Sequence, residues 1–199
     1  MSEEAALALM DARHDIKPLR QGALDSLCGV YAIFNAVRLL AYPDKPIHMR
    51  DLKTLFRRGV KILSKQQHLQ FTLSWGLDPA PWDRFLERFL PDVETVVGFR
   101  IKQHRVFDAK HGLKPSEVAR PLRFHLDQGH PIVLILGGAY DHWTVIAGHS
   151  EDRLHLFDSY GYCWISTRSL TLDQHLRNRV HLLMPEACWA FERLPDPLE

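Results

Sequence analysis

Cys28 is the residue around which the chain can be read for chemistry. It stands in Gln21-Gly-Ala-Leu-Asp-Ser-Leu-Cys-Gly-Val-Tyr31, just before Val30, Ile33, Phe34, Val37 and Leu40, which recur at helical spacing. That places a thiol in the first turn of an amphipathic helix, where unpaired backbone N–H groups and the positive end of the helix dipole favour thiolate, the nucleophilic form. A thiol nucleophile needs a base, and the base needs a group that holds it in one tautomer. Of twelve histidines, His142 has the best address. It starts a predicted strand straight after a turn, which fixes its backbone and leaves its ring at the rim. Asp158 ends the next predicted strand, and in an antiparallel pair the end of one strand lies beside the start of the other. A carboxylate there would orient the imidazole and stabilise its cation. Asp141 is nearer in sequence but points to the opposite face. Gln21, on the loop leading into the helix, is the candidate side-chain donor for an oxyanion, complementing the N–H of Cys28.

The elements that must position these residues follow from patterning. Residues before Lys17 read as a short helix or a frayed arm. The nucleophile helix is predicted from about Ser26 to Leu40, capped by Asp25 or Ser26 and stopped at Tyr42-Pro43. A second helix runs from His48 to about Leu63. Its basic face of Arg50, Lys53, Arg57 and Lys61 is explained by solvation, with an acidic partner as the alternative. Residues 66–76 read as a connection carrying Phe71 and Trp75. A helix is predicted from Asp78, with Pro79 and Pro81 in its first turn and Pro91 at its end, followed by a strand over Val93–Ile101 and a surface loop over Lys102–Lys114 holding His104 and His111. A further helix spans about Glu117 to Gln128 and closes at Gly129.

Beyond Pro131 the pattern changes to short apolar runs separated by turn residues. Ile132–Leu136, Trp143–Ala147 and Leu154–Phe157 read as an antiparallel meander. Gly137-Gly138 reads as its hairpin turn, since no helix follows to present amides to a phosphate. Val180–Met184 and Cys188–Phe191 are predicted edge strands, with a short helix over about Ser169–Arg177. Helices first and sheet later make the class α+β.

In this order, Arg20-Gln21-Gly22, Leu27-Cys28-Gly29-Val30-Tyr31-Ala32, Gly129-His130-Pro131-Ile132-Val133, His142-Trp143-Thr144-Val145-Ile146-Ala147-Gly148 and Leu156-Phe157-Asp158-Ser159 resemble the papain-like cysteine peptidases. Within these, the likeness is to the bacteriocin-processing (double-glycine) peptidase domains of bacterial exporters and their stand-alone relatives. It covers the nucleophile helix and the sheet, whereas residues from about Tyr42 to Lys114 match nothing in it. Ser159 stands where the exporter domains tend to have proline, so a double-glycine leader substrate is not implied. The resemblance implies a papain-like fold, with the nucleophile helix packed on a C-terminal antiparallel sheet. It also implies a thiol hydrolase acting on a peptide or isopeptide bond, with Cys28 as nucleophile, His142 as proton shuttle, Asp158 as orienter and Gln21 lining the oxyanion hole. Two alternatives stay open: transglutaminase- or acyltransferase-like transfer to an amine by the same triad, and a papain-fold interaction module without activity. The expected partner is a protein or peptide substrate, and no cofactor is called for.

Composition sets the outer bounds. With 199 residues, 46% of them hydrophobic, one domain over residues 1–199 can bury its own core. Lysine plus arginine (25) nearly cancel aspartate plus glutamate (24), so the global charge points to neither nucleic acid nor an anionic membrane. Cys28, Cys163 and Cys188 fit neither a disulfide framework nor a zinc pattern, and His149 and His155 with Cys163 match no ligand spacing. Core packing beside Trp164 and Trp189 is the reading for the last two cysteines. The acidic N-terminus lacks the pattern of a signal peptide and no run reaches the roughly 20 apolar residues of a membrane span, so the expected location is cytoplasmic.

Overall fold

The computed structural model describes residues 2–22, 25–66, 69–77, 82–107, 113–114, 116–172 and 180–195. Before the sheet begins, the chain is built from helices. α1 (Ser2–Asp15) buries Leu9 and Ala12, so the segment ahead of Lys17 is a packed helix. α2 (Cys28–Ala41) is buried along most of its length, as befits a helix apolar on nearly every side. It starts at Cys28 rather than Ser26, and neither expected cap serves it. Asp25 Oδ1 instead accepts from the Leu27 N–H at 3.1 Å, and the Ser26 hydroxyl donates to the Ser74 carbonyl at 3.2 Å.

α3 (Met49–Gln66) turns Leu52, Leu55 and Leu63 inward as its periodicity demands. The stretch read as a connection contains α4 (Leu69–Trp75), which buries only Thr72. Its large residues Phe71, Leu73 and Trp75 alternate at a spacing of two, so no helical stripe announces it. In α5 (Trp82–Val97) the expected stop at Pro91 does not occur. An interior proline costs about 3 kcal/mol, but burial of Leu90, Val93 and Val97 around it stabilises by roughly 1.5–3 kcal/mol per side chain. The same burial explains why Val93–Val97 is helix and not the predicted strand: strand propensity spans only ~1 kcal/mol, and Val93 and Val97 are i and i+4 on the inward face. The predicted caps and prolines at 78–81 lie outside the described residues.

The strand β1 (Ile101–Arg105) occupies the start of what reads as a surface loop; His111 lies outside the described residues. α6 (Ala119–Asp127) follows and ends at Gly129, whose φ of +76° and whose approach to the Ala5 backbone, within 2.8 Å of where a Cβ would lie, both require glycine. β2 (Ile132–Gly138), β3 (His142–His149), β4 (Arg153–Leu156) and β5 (Trp164–Ser166) then form the antiparallel meander. A 3₁₀ turn (Thr167–Ser169) and the two-residue β6 (Leu170–Thr171) replace the start of the predicted short helix; residues 173–179 lie outside the described ones.

The two predicted edge strands are one strand, β7 (His181–Arg193), and it is central. The order is β1-β7-β2-β3-β4-β5, with β6 parallel to the start of β7. Pro185 interrupts the sequence pattern. It falls where the β2–β7 register shifts, between the pairs Leu136↔Leu183 and Leu134↔Cys188, a place that needs no ladder N–H from it. α2 packs on β3, β2 and β7, and α1 and α6 also pack on β3. A helical N-terminal part thus meets a largely antiparallel sheet through one buried cluster. Among the described residues no helix is long and apolar enough to cross a membrane.

Candidate active site

Gly29 explains how the start of α2 is seated. A Cβ at this position would lie 3.0 Å from Trp82 Cζ3, 3.4 Å from Leu77 Cδ2 and 3.5 Å from Trp143 Cδ1. Trp82 and Trp143 stack with centroids 3.9 Å apart, and the Trp143 indole N–H donates to the Leu77 carbonyl at 2.8 Å. The helix start therefore rests against the two indoles, and a Cβ at Gly29 would be tight against Trp82, which would have to give by a few tenths of an ångström. Trp143, 1% exposed, belongs to this core platform. Its neighbour on β3 is His142, so one strand both seats the start of α2 and carries the candidate base.

Sheet register brings His142 to Asp158. Ile146 pairs with Leu156, and the Phe157 N–H donates to the Val145 carbonyl at 2.9 Å. Continuing that pairing puts Asp158 beside Thr144 and on the same face as His142. His142 Nε2 and Asp158 Oδ2 are 2.9 Å apart, with the carboxylate fully enclosed. The other oxygen, Oδ1, accepts the backbone N–H groups of Tyr160, Gly161 and Tyr162 at 2.8, 2.8 and 3.1 Å. A tight loop thus wraps the carboxylate and aims its second oxygen at the imidazole. Asp141 is exposed in the hairpin turn with φ of +46°.

With Nε2 bonded to Asp158, Nδ1 is the ring nitrogen left for a second partner; Cys28 acts on the imidazole, while its thiol lies 3.9 Å from the Ser26 carbonyl. Burial opposes charge on His142, but the hydrogen bond to Asp158, the influence of Cys28 and the negative charge of both groups outweigh it and push the imidazole up to about 9. Burial likewise works against the Asp158 carboxylate. The His142 bond, reinforced by the backbone N–H donors, wins and holds it below the usual carboxylate range.

The N–H groups of Cys28 and Gly29 carry no hydrogen bond among the described residues, because the first bonded amide of α2 is that of Val30, to Leu27. Among the described residues nothing competes with negative charge beside the sulfur for these two donors. Gln21 is close to the site by backbone: its N–H donates to the Ser159 carbonyl at 3.1 Å, tying the lead-in to the residue after Asp158. Its side-chain amide turns the other way and donates to the Asp25 carbonyl, leaving Oε1 buried without a partner.

Sequence reasoning passed over an aromatic surround. Tyr160 and Tyr162 each meet the His142 ring edge-on at 5.9 Å, and Tyr162 stacks flat on Tyr140 at 3.8 Å. The signal available was Asp158-Ser-Tyr-Gly-Tyr162, a turn sequence that begins at the carboxylate bonded to His142. Of the remaining thiols, Cys188 is wholly buried and pushed up by that burial. Cys163 is exposed ahead of β5, contrary to the core reading. His149 pairs with Asp127 at 2.8 Å, and among the described residues no group of three or more His, Cys, Asp or Glu side chains converges as metal ligands. No family model, curated protein or solved structure matches the chain.

Proposed function

We propose that the chain is a thiol hydrolase of papain-like fold that cleaves a peptide or isopeptide bond through Cys28, His142 and Asp158. The observation that carries this reading is the wrapped, buried carboxylate bonded to His142 Nε2, supported by the influence on the same imidazole of a cysteine at a helix start. A structural histidine needs no carboxylate held by three further donors. In the proposed cycle, Cys28 Sγ attacks the carbonyl carbon and negative charge develops on its oxygen beside the Cys28 and Gly29 amides. His142 then gives its Nδ1 proton to the leaving amine. The thioester left on Cys28 is hydrolysed by water whose proton passes to Nδ1; the second tetrahedral intermediate then expels the Cys28 thiolate, releasing the carboxylic acid and regenerating the thiolate–imidazolium pair. Gln21 would join the oxyanion site by swinging its amide off the Asp25 carbonyl.

Low-concentration iodoacetamide with intact-mass and peptide-level readout tests the reading. Cys28 should label well before Cys163 and Cys188, with a rate that collapses in His142→Ala. The exposure of Cys163 sharpens the comparison, because access alone favours Cys163. Uniformly slow labelling that His142→Ala leaves unchanged would sink the hydrolase assignment and favour an interaction module.

A further inference from the structure

An apolar pocket of about 440 Å³ opens between α2, α3 and the segment that leads into Gln21. Phe34 and Leu52, both buried, form its base, and Leu19, Tyr31 and Phe56 form its walls, with the Tyr31 and Phe56 rings 5.9 Å apart. One of its walls belongs to the helix that begins at Cys28. Tyr31 follows Cys28 by one helical turn, which places their Cβ atoms about 5–6 Å apart, and Arg20 directly precedes Gln21 and packs against the bare Cα of Gly161 in the loop around Asp158.

The rim is cationic. Arg20, Lys53 and Arg57 line the pocket and are exposed, and among the described residues none of the three forms an ion pair and no acidic side chain lines the cavity. Lys53 and Arg57 are i and i+4 on α3, a spacing at which like charges repel. On α3, Arg58 by contrast bonds Asp92 at 2.9 Å. The uncompensated rim, set around an apolar cavity, matches a ligand that supplies both missing halves.

We infer that this pocket selects the substrate, receiving an apolar side chain of a peptide segment whose neighbouring residues are carboxylates. That the bound segment is a substrate rests on the hydrolase reading; the binding itself does not. Carboxylates of the bound segment meet Arg20, Lys53 and Arg57 while its leucine- or phenylalanine-sized side chain fills the space between Tyr31 and Phe56. A basic tail is repelled at the same rim.

The test uses the full chain with Cys28→Ala and three fluorescein-labelled acetylated nonapeptides: leucines set among glutamates, the same leucines among lysines, and the glutamate peptide with serine for leucine. Fluorescence anisotropy should give at least tenfold tighter binding of the first than of either control, and K53E/R57E should abolish that preference. Arg20→Ala, a third exposed site, should weaken binding of the first peptide by severalfold. Equal binding of the three peptides, or a preference unchanged in K53E/R57E, overturns the inference. So does displacement of the first peptide by phosphatidylglycerol vesicles at lower concentration than by unlabelled peptide, which would assign the pocket to a lipid surface. Wild-type iodoacetamide labelling of Cys28 in K53E/R57E separates the two readings: the pocket can fail while the reactive thiol stands.

Discussion

Asp158→Asn removes one charge and almost no volume from the centre of the site, and the wrapping of Asp158 dictates how the new side chain must sit. Oδ1 faces three backbone N–H donors, so the asparagine must leave its carbonyl oxygen there; the amide NH₂ would confront donors with donors. The NH₂ is then forced onto His142 Nε2, which has to accept. That fixes the tautomer carrying its proton on Nδ1, directed at the sulfur it should deprotonate. At the same time the imidazolium loses its main support. Raising the imidazole from 6.5 to about 9 corresponds to roughly 3 kcal/mol in favour of the charged form, and the Asp158 hydrogen bond heads the interactions that produce it. At pH 8 the wild-type ring is about nine-tenths protonated; a ring returned to 6.5 would be about 3% protonated. The expected result is a His142 titration midpoint, followed by NMR of its ring Cε1–H, that falls by about two pH units. Iodoacetamide labelling of Cys28 at pH 8 should slow at least tenfold, and any measured hydrolysis should drop by about 10²–10⁴, the usual contribution of a positioned acid–base group. A midpoint still near 9, or labelling at the wild-type rate, would refute the argument that Asp158 sets the state of His142.

Gly29→Ala should push the start of α2 off the stacked indoles, costing about 1–3 kcal/mol in urea unfolding as overpacking does and slowing Cys28 labelling with it; unchanged stability would mean the indoles yield. Trp143→Phe deletes the hydrogen bond to Leu77 and part of the stack on Trp82, for an expected loss of about 1–3 kcal/mol, read by chemical denaturation. Tyr162→Leu keeps the backbone N–H to Asp158 but removes the ring beside His142, so labelling of Cys28 should change while unfolding stability moves by less than in Trp143→Phe. Two of the perturbed histidines, the ones shifted furthest, act on stability with opposite sign. His142, raised in the fold, contributes fully below its unfolded value of 6.5 and loses that contribution as pH rises through about 9. His125 is lowered to about 4 by burial, with the neighbouring His130 and His104 adding to it, so stability falls as pH drops from 6.5 toward 4. Melting temperatures should therefore decline on the alkaline side less in His142→Gln than in wild type, and on the acid side less in His125→Gln.

Local pattern sufficed wherever one periodicity spoke without competition. α2, α3 and α6 and the strands from Ile132 to Leu156 could be read from it, and with them the approach of His142 to Asp158, because antiparallel pairing of consecutive strands is a local consequence of short turns. It failed where burial overrode a local preference. Pro91 should break a helix and Val93–Val97 should extend, yet the inward stripe of α5 outweighs both. Pro185 should split a strand, yet the register shift beside it lets β7 run through the middle of the sheet. The residue types of the candidate site, and the chain order of thiol, imidazole and carboxylate, belong to the sequence alone. Tertiary structure decided the rest: that Asp158 is gripped by its own loop, that Gly29 sits close against Trp82, that the Gln21 amide faces Asp25, and that Lys53 and Arg57 of α3 line an apolar pocket with Tyr31. Those facts depend on contacts between segments far apart in the chain, and no local spacing encodes which atoms a folded core will leave within reach of one another.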